Sequence, residues 1–68
     1  MIRLSRMKAI RLSCHVTQDE IGLALGVNTA RISRLENGYL PASPATELLK
    51  RRVAEFLGYS VEHLFPEE

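Results

Sequence analysis

The 68-residue sequence predicts an all-α domain of five short helices, on three observations. Apolar residues recur at three- and four-residue steps, and residues suited to opening and closing helices punctuate the chain between them. No stretch alternates apolar and polar residues as a half-buried strand would, and there is no internal repeat or low-complexity segment.

The first helix is expected over residues 2–13, where Leu4, Met7, Ile10 and Cys14 form one stripe. Arg11 falls on that stripe, so its guanidinium either reaches out to water or meets a buried partner. Thr17-Gln18-Asp19-Glu20 is a capping box that opens the second helix, with two acids suited to the positive end of its dipole. Ile21, Ala24 and Leu25 give that helix its inner face, and Gly26 ends it. Gly26-Val27-Asn28 is then a tight corner, and Asn28 caps a third helix running to Glu36, stopped by Asn37-Gly38. A loop from Tyr39 to Ser43 leads to Ser43-Pro44, which supplies N-cap and N1 proline to a fourth helix. Ala45, Leu49, Val53 and Phe56 line its expected inner face, and Gly58 closes it. Ser60 caps a last turn from Val61 to Phe65, terminated by Pro66.

Composition narrows the function. A chain this short buries about 60% of its unfolded surface, which is marginal for a lone monomer and makes dimerisation favourable. It leaves little room for an enzyme with its own substrate pocket, so no catalytic activity is expected. No apolar run approaches the roughly 18 residues of a membrane span, and Met1-Ile2-Arg3-Leu4-Ser5-Arg6 lacks the apolar block of a signal peptide. The expectation is a single cytoplasmic domain over residues 1–68. The lone Cys14 cannot form an internal disulfide and reads as packing in or near the core. Together with His15 and His63 it lacks the spacing of a zinc site, and neither metal nor cofactor is expected.

Charge is unevenly spread. Residues 1–34 carry six basic side chains (Arg3, Arg6, Lys8, Arg11, Arg31, Arg34) against Asp19 and Glu20. Residues 35–68 carry three against six acids, Glu67 and Glu68 among them. A basic half joined to an acidic half suits a polyanion on one side, although an evenly solvated surface gives similar numbers. Lys50-Arg51-Arg52 reads as a solvated face of the fourth helix or as a phosphate contact.

The third helix carries the functional pattern. At about 100° per residue, Ile32 and Leu35 point inward with Asn28 and Glu36 beside them. The opposite face presents Ala30, Ser33, Arg34 and Asn37, flanked by Thr29 and Arg31. Nine residues span about 13 Å, close to the roughly 12 Å width of a DNA major groove. Thr29 and Ala30 are small enough for close approach and can touch a thymine methyl, and Arg34 can pair with guanine N7 and O6. Two short helices meeting at a tight corner need a small residue where they approach, a glycine at the corner and apolar residues in the inner angle. Gly22, Gly26 and the set Ile21, Leu25, Val27, Ile32 and Leu35 meet these demands over residues 17–36.

Thr17-Gln18-Asp19-Glu20-Ile21, Leu25-Gly26-Val27 and Arg31-Ile32-Ser33-Arg34-Leu35-Glu36-Asn37-Gly38 resemble the Cro/CI-repressor-type (XRE) helix-turn-helix family. Phe56 to Phe65 is similar to that family's closing segment, so the likeness covers most of the chain. The resemblance implies a five-helix, lambda-repressor-like DNA-binding domain acting in bacterial or phage transcription control. It further implies a homodimer on a palindromic operator in double-stranded DNA. Position by position, Thr29, Ala30 and Arg34 match base-reading residues, with Asn28 and Ser33 close by. Gln18 and Asn37 match phosphate contacts, to which Arg31 on the helix flank adds a third. Arg11 and Glu36 match a buried salt bridge between helices one and three. The chain departs from the family pattern at Gly22, where alanine is usual, at Leu23, where a polar residue is common, and in a longer loop over 39–43. Glycine at position 22 is expected to keep the fit at a cost of up to about 1 kcal/mol of helix propensity. The alternative reading is a protein-interaction module of the same fold, such as an antitoxin, using the apolar and acidic end formed by Val61, Leu64 and Phe65 with Glu62, Glu67 and Glu68.

Overall fold

A computed structural model describes residues 5–66, all of them helix, turn or loop. Arg3 and Leu4 at the expected start of the first helix, and Glu67 and Glu68 at the other end, lie outside the described residues. Five helices follow in order: α1 (Arg6–Ser13), α2 (Gln18–Leu25), α3 (Thr29–Glu36), α4 (Pro44–Leu57) and α5 (Val61–Leu64). The first helix therefore begins later than its apolar stripe suggests, because the Ser5 hydroxyl accepts from the Lys8 N–H and makes Ser5 the N-cap.

The other four caps are side chains as well. Thr17 and Glu20 complete the capping box reciprocally, each bond 3.0 Å long. The Asn28 carboxamide oxygen accepts from the Ala30 N–H at 2.7 Å, and Ser43 and Ser60 do the same for α4 and α5. At the C-terminal ends one motif recurs four times. The N–H after a left-handed residue reaches back to the carbonyl five positions earlier: Val16 to Arg11, Val27 to Gly22, Tyr39 to Arg34 and Tyr59 to Ala54. The left-handed residue is glycine in three cases and His15, at φ 59°, in the first. Asn37 itself stays right-handed, so Gly38 alone turns the chain out of α3.

These caps leave short helices whose stability comes from the shared core. Met7, Ile21, Ile32, Leu35, Leu49, Val53, Ala54 and Leu64 are buried together, drawing on all five helices. Each large side chain among them contributes about 1.5–3 kcal/mol by leaving water. α2 packs chiefly on α3, α4 lies against α2, and α5 closes the bundle between α1 and α4. Several inward assignments shift. Ala24 is exposed, and Gly22 is the buried small residue of α2. On α4, Ala45 and Phe56 are exposed while Thr46 and Ala54 are covered, a rotation of the inner face toward α2 and α5. Cys14 caps α1 at the surface and does not enter the core.

The Gly22 site explains how closely α2 and α3 meet. A Cβ there would sit 2.6 Å from the Val27 carbonyl oxygen, inside any tolerable contact with a backbone atom. Glycine is needed at this approach, so the alanine usual in the resembled family does not fit this backbone.

Candidate nucleic-acid interface

α3 is held by its inner face. Ile32 and Leu35 are buried, and Glu36 is only 3% exposed. A buried carboxylate needs donors, and it has three. Arg11 Nε donates to Glu36 Oε2 at 2.7 Å, Arg11 Nη2 to Oε1 at 3.3 Å, and Gln18 Nε2 to Oε1 at 2.9 Å. Arg11 Nη1 completes the set by donating to the Val16 carbonyl at 2.9 Å. One carboxylate thus joins α1, α2 and α3, and the position of α3 follows from a bidentate ion pair as well as from apolar packing.

The outer face is open. Ala30, Arg34 and Asn37 are exposed, and Thr29, Arg31 and Ser33 are partly so. Asn28 faces solvent at the helix start and does not turn inward as its angle suggests, because its carboxamide is occupied in capping. The ion pairs among the described residues are Arg11–Glu36 and Lys50–Glu47, so Arg31 and Arg34 are not neutralised by a protein carboxylate. With Glu36 turned inward, no acid of α3 stands on the open face. Asn37 Nδ2 donates to the Ser33 carbonyl at 2.9 Å and, more weakly, to the Ser33 hydroxyl at 3.4 Å, which leaves its carboxamide oxygen without a protein partner among the described residues.

Two side chains near this face have partners that sequence spacing did not reveal. The Thr29 hydroxyl donates to Asp19 Oδ1 at 2.7 Å, tying the first residue of α3 to the first turn of α2. Gln18 is partly buried and already engaged with Glu36, so it has one amide N–H and its carbonyl oxygen to offer elsewhere. A shallow depression lined by Asp19, Gly22, Leu23, Gly26, Val27, Asn28 and Thr29 lies at the same corner. Leu23 is 87% exposed beside it.

A family model of the helix-turn-helix matches residues 7–64. The chain belongs to the Cro/CI-type (XRE) helix-turn-helix family. That is a family of DNA-binding transcription regulators, and its lambda-repressor-like architecture agrees with the five helices here. No curated protein and no solved structure gives a significant match to the chain. In helix-turn-helix terms α2 and α3 are the paired helices, and residues 26–28 are the corner between them.

The remaining candidates fall elsewhere. Leu64 is buried, and Val61 and Phe65, both partly exposed, pack against the core, so the apolar end helps to close the bundle. The basic run on α4 divides: Lys50 lies 3.5 Å from Glu47 and above the Phe65 ring, Arg51 is exposed, and Arg52 Nη2 donates to the Leu25 carbonyl at the end of α2. Cys14 and His15 are exposed, and no group of three metal-ligating residues comes together among the described residues. No described helix is long and apolar enough to cross a membrane.

Proposed function

We propose that the protein is a sequence-specific regulator of repressor type that lays α3 in the major groove of double-stranded DNA. One domain over residues 1–68 acts in the cytoplasm of a bacterium or in phage control, as a homodimer on a palindromic operator. Thr29, Ala30, Ser33 and Arg34, with Asn28 at the helix start, face base edges; Gln18, Arg31 and Asn37 face phosphates on either side. The observation that supports this reading most is the outer side of α3, where Arg34 and Ala30 are exposed with no acid of that helix beside them. A rod with small residues at its leading end and unneutralised guanidiniums along it suits the groove between two phosphate walls. No catalytic step is assigned.

Selection of binding sites from random duplex DNA at one stated salt concentration tests the proposal. The expected result is an enriched sequence with two symmetric half-sites about 10–10.5 base pairs apart, the spacing that places two recognition helices on one face of the duplex. Equal retention of all sequences would remove the specific role.

A further inference from the structure

Thr29 opens α3 at the end that enters a groove first, and its hydroxyl is already committed. The O–H donates to Asp19 Oδ1 at 2.7 Å. The direction is fixed by chemistry, since a carboxylate has only lone pairs to give and the hydroxyl must supply the hydrogen. What Thr29 Oγ1 keeps for a further partner is therefore acceptor lone pairs only. A free hydroxyl rotates to suit either kind of partner and reads bases poorly; a hydroxyl whose hydrogen is held reads one kind.

We propose that Asp19 makes Thr29 an acceptor-only reader, which selects a base bearing an exocyclic amine and rejects one presenting a carbonyl at the same place. In the major groove the amines are adenine N6 and cytosine N4, and the opposed carbonyls are guanine O6 and thymine O4. The pairing is geometrically supported from both sides. Gly22 lets the start of α3 come within 3.5 Å of where a Cβ on α2 would be, which brings the threonine onto the first turn that carries Asp19. The Asn28 cap fixes the same end of α3 from the backbone side. Asp19 is exposed and has no cation partner among the described residues, so beyond this bond its contribution to the fold is that of an acid in the first turn of α2. Its negative charge beside a DNA-facing residue weakens binding to every sequence alike, and the structure keeps it where it orients a hydroxyl. Asp19 is in this sense a positioning residue for specificity, acting through Thr29.

The inference rests on α3 occupying a major groove, and the experiment separates the two. Site selection is run on the wild type, Asp19→Ala, Thr29→Val and the double variant, with thermal melts showing that each is folded. The wild type is expected to require adenine or cytosine at one position of each half-site. Asp19→Ala frees the hydroxyl to donate as well, and the preference for amine over carbonyl at that position should fall about tenfold, the effect of one hydrogen bond. Affinity for random DNA should rise in the same variant, because one repelling charge is gone. In the Thr29→Val background, Asp19→Ala should leave the base preference where Thr29→Val alone puts it. An enriched site whose base preferences are the same with and without Asp19 overturns the inference while leaving the groove reading intact. So does a preference that still changes when valine stands at position 29, since Asp19 would then meet the base directly. Absence of any enriched site in all four proteins removes the groove reading itself and the inference with it.

Discussion

Arg11 Nε lies 2.7 Å from Glu36 Oε2, with both side chains shut away from water at 8% and 1% exposure. The pair spans α1 and α3, and Gln18 from α2 donates to the same carboxylate. Replacing either partner leaves the other charge buried, which costs about 3–5 kcal/mol. Because a small domain has only about 5–15 kcal/mol in total, Arg11→Met or Glu36→Leu alone should remove a large share of the stability and lower the urea midpoint steeply. Arg11→Met combined with Glu36→Leu removes both charges, and urea titration should show the double variant far more stable than either single one. Additive losses would mean that the two groups are not coupled.

Gln18 has work on both sides of the interface. Its Nε2 helps neutralise Glu36 at 2.9 Å, and its remaining polar atoms are proposed to face phosphate. Gln18→Ala should therefore lower stability by about 1.5–3 kcal/mol, the range of a hydrogen bond to a charged group. It should also weaken binding to all sequences by a similar factor, without altering which base is preferred at any position. Parallel measurement of urea midpoints and of affinity for two DNA sequences checks both. Loss of stability with no change in binding would confine Gln18 to the protein side.

Gly22→Ala sets two effects against each other. Alanine favours a helix interior by up to about 1 kcal/mol, whereas a methyl 2.6 Å from the Val27 oxygen forces the corner between α2 and α3 to open. Overpacking against backbone costs about 1–3 kcal/mol, so the net change should be destabilising. For a chain of this length each kcal/mol lost corresponds to a fall of about 4–8 °C in Tm. A rise in Tm would show that the corner yields freely.

His15 occupies the position that glycine holds at the ends of α2, α3 and α4, with φ at 59°. A side chain in the left-handed region costs about 1–2 kcal/mol, part of which glycine returns through its greater freedom when unfolded. His15→Gly should stabilise the protein by about 0.5–1 kcal/mol, read as a higher urea midpoint. His15 is exposed and lies outside the proposed DNA face, so affinity for DNA should not change.

Helix ends were the most legible part of this sequence, because a cap is local chemistry. Thr17, Asn28, Ser43 and Ser60 each carry an oxygen that can reach an N–H two or three residues on, and all four do. Ser5 does the same, but the apolar stripe running through Leu4 drew the expected start of α1 past it. Faces were legible to within one step of the helix. Periodicity marks a stripe, while the neighbouring helix decides which edge of the stripe is covered; hence Ala24, Ala45 and Phe56 are exposed, and Gly22, Thr46 and Ala54 are buried. Bonds between helices were the least legible. Nothing in spacing places Asp19 beside Thr29, or Gln18 beside Glu36, because both depend on how closely α2 and α3 approach at Gly22.

Arg34 and Arg31 should fail differently when truncated. Arg34 is exposed on the middle of the outer face, placed for a bidentate contact to guanine, while Arg31 is half-buried at its flank. A base contact carries discrimination: Arg34→Ala should reduce the preference at one base pair by about 1–3 kcal/mol and leave binding to random DNA less affected. A phosphate contact carries affinity and counterion release. Arg31→Ala should weaken specific and random binding together and lower the salt slope by about one. Titrations of each variant against the selected site, a single-base variant of it and random DNA, at several salt concentrations, separate the two roles. Equal losses on all three DNAs for Arg34→Ala would place that guanidinium on the backbone, and the base-reading face of α3 would then have to be carried by its small residues alone.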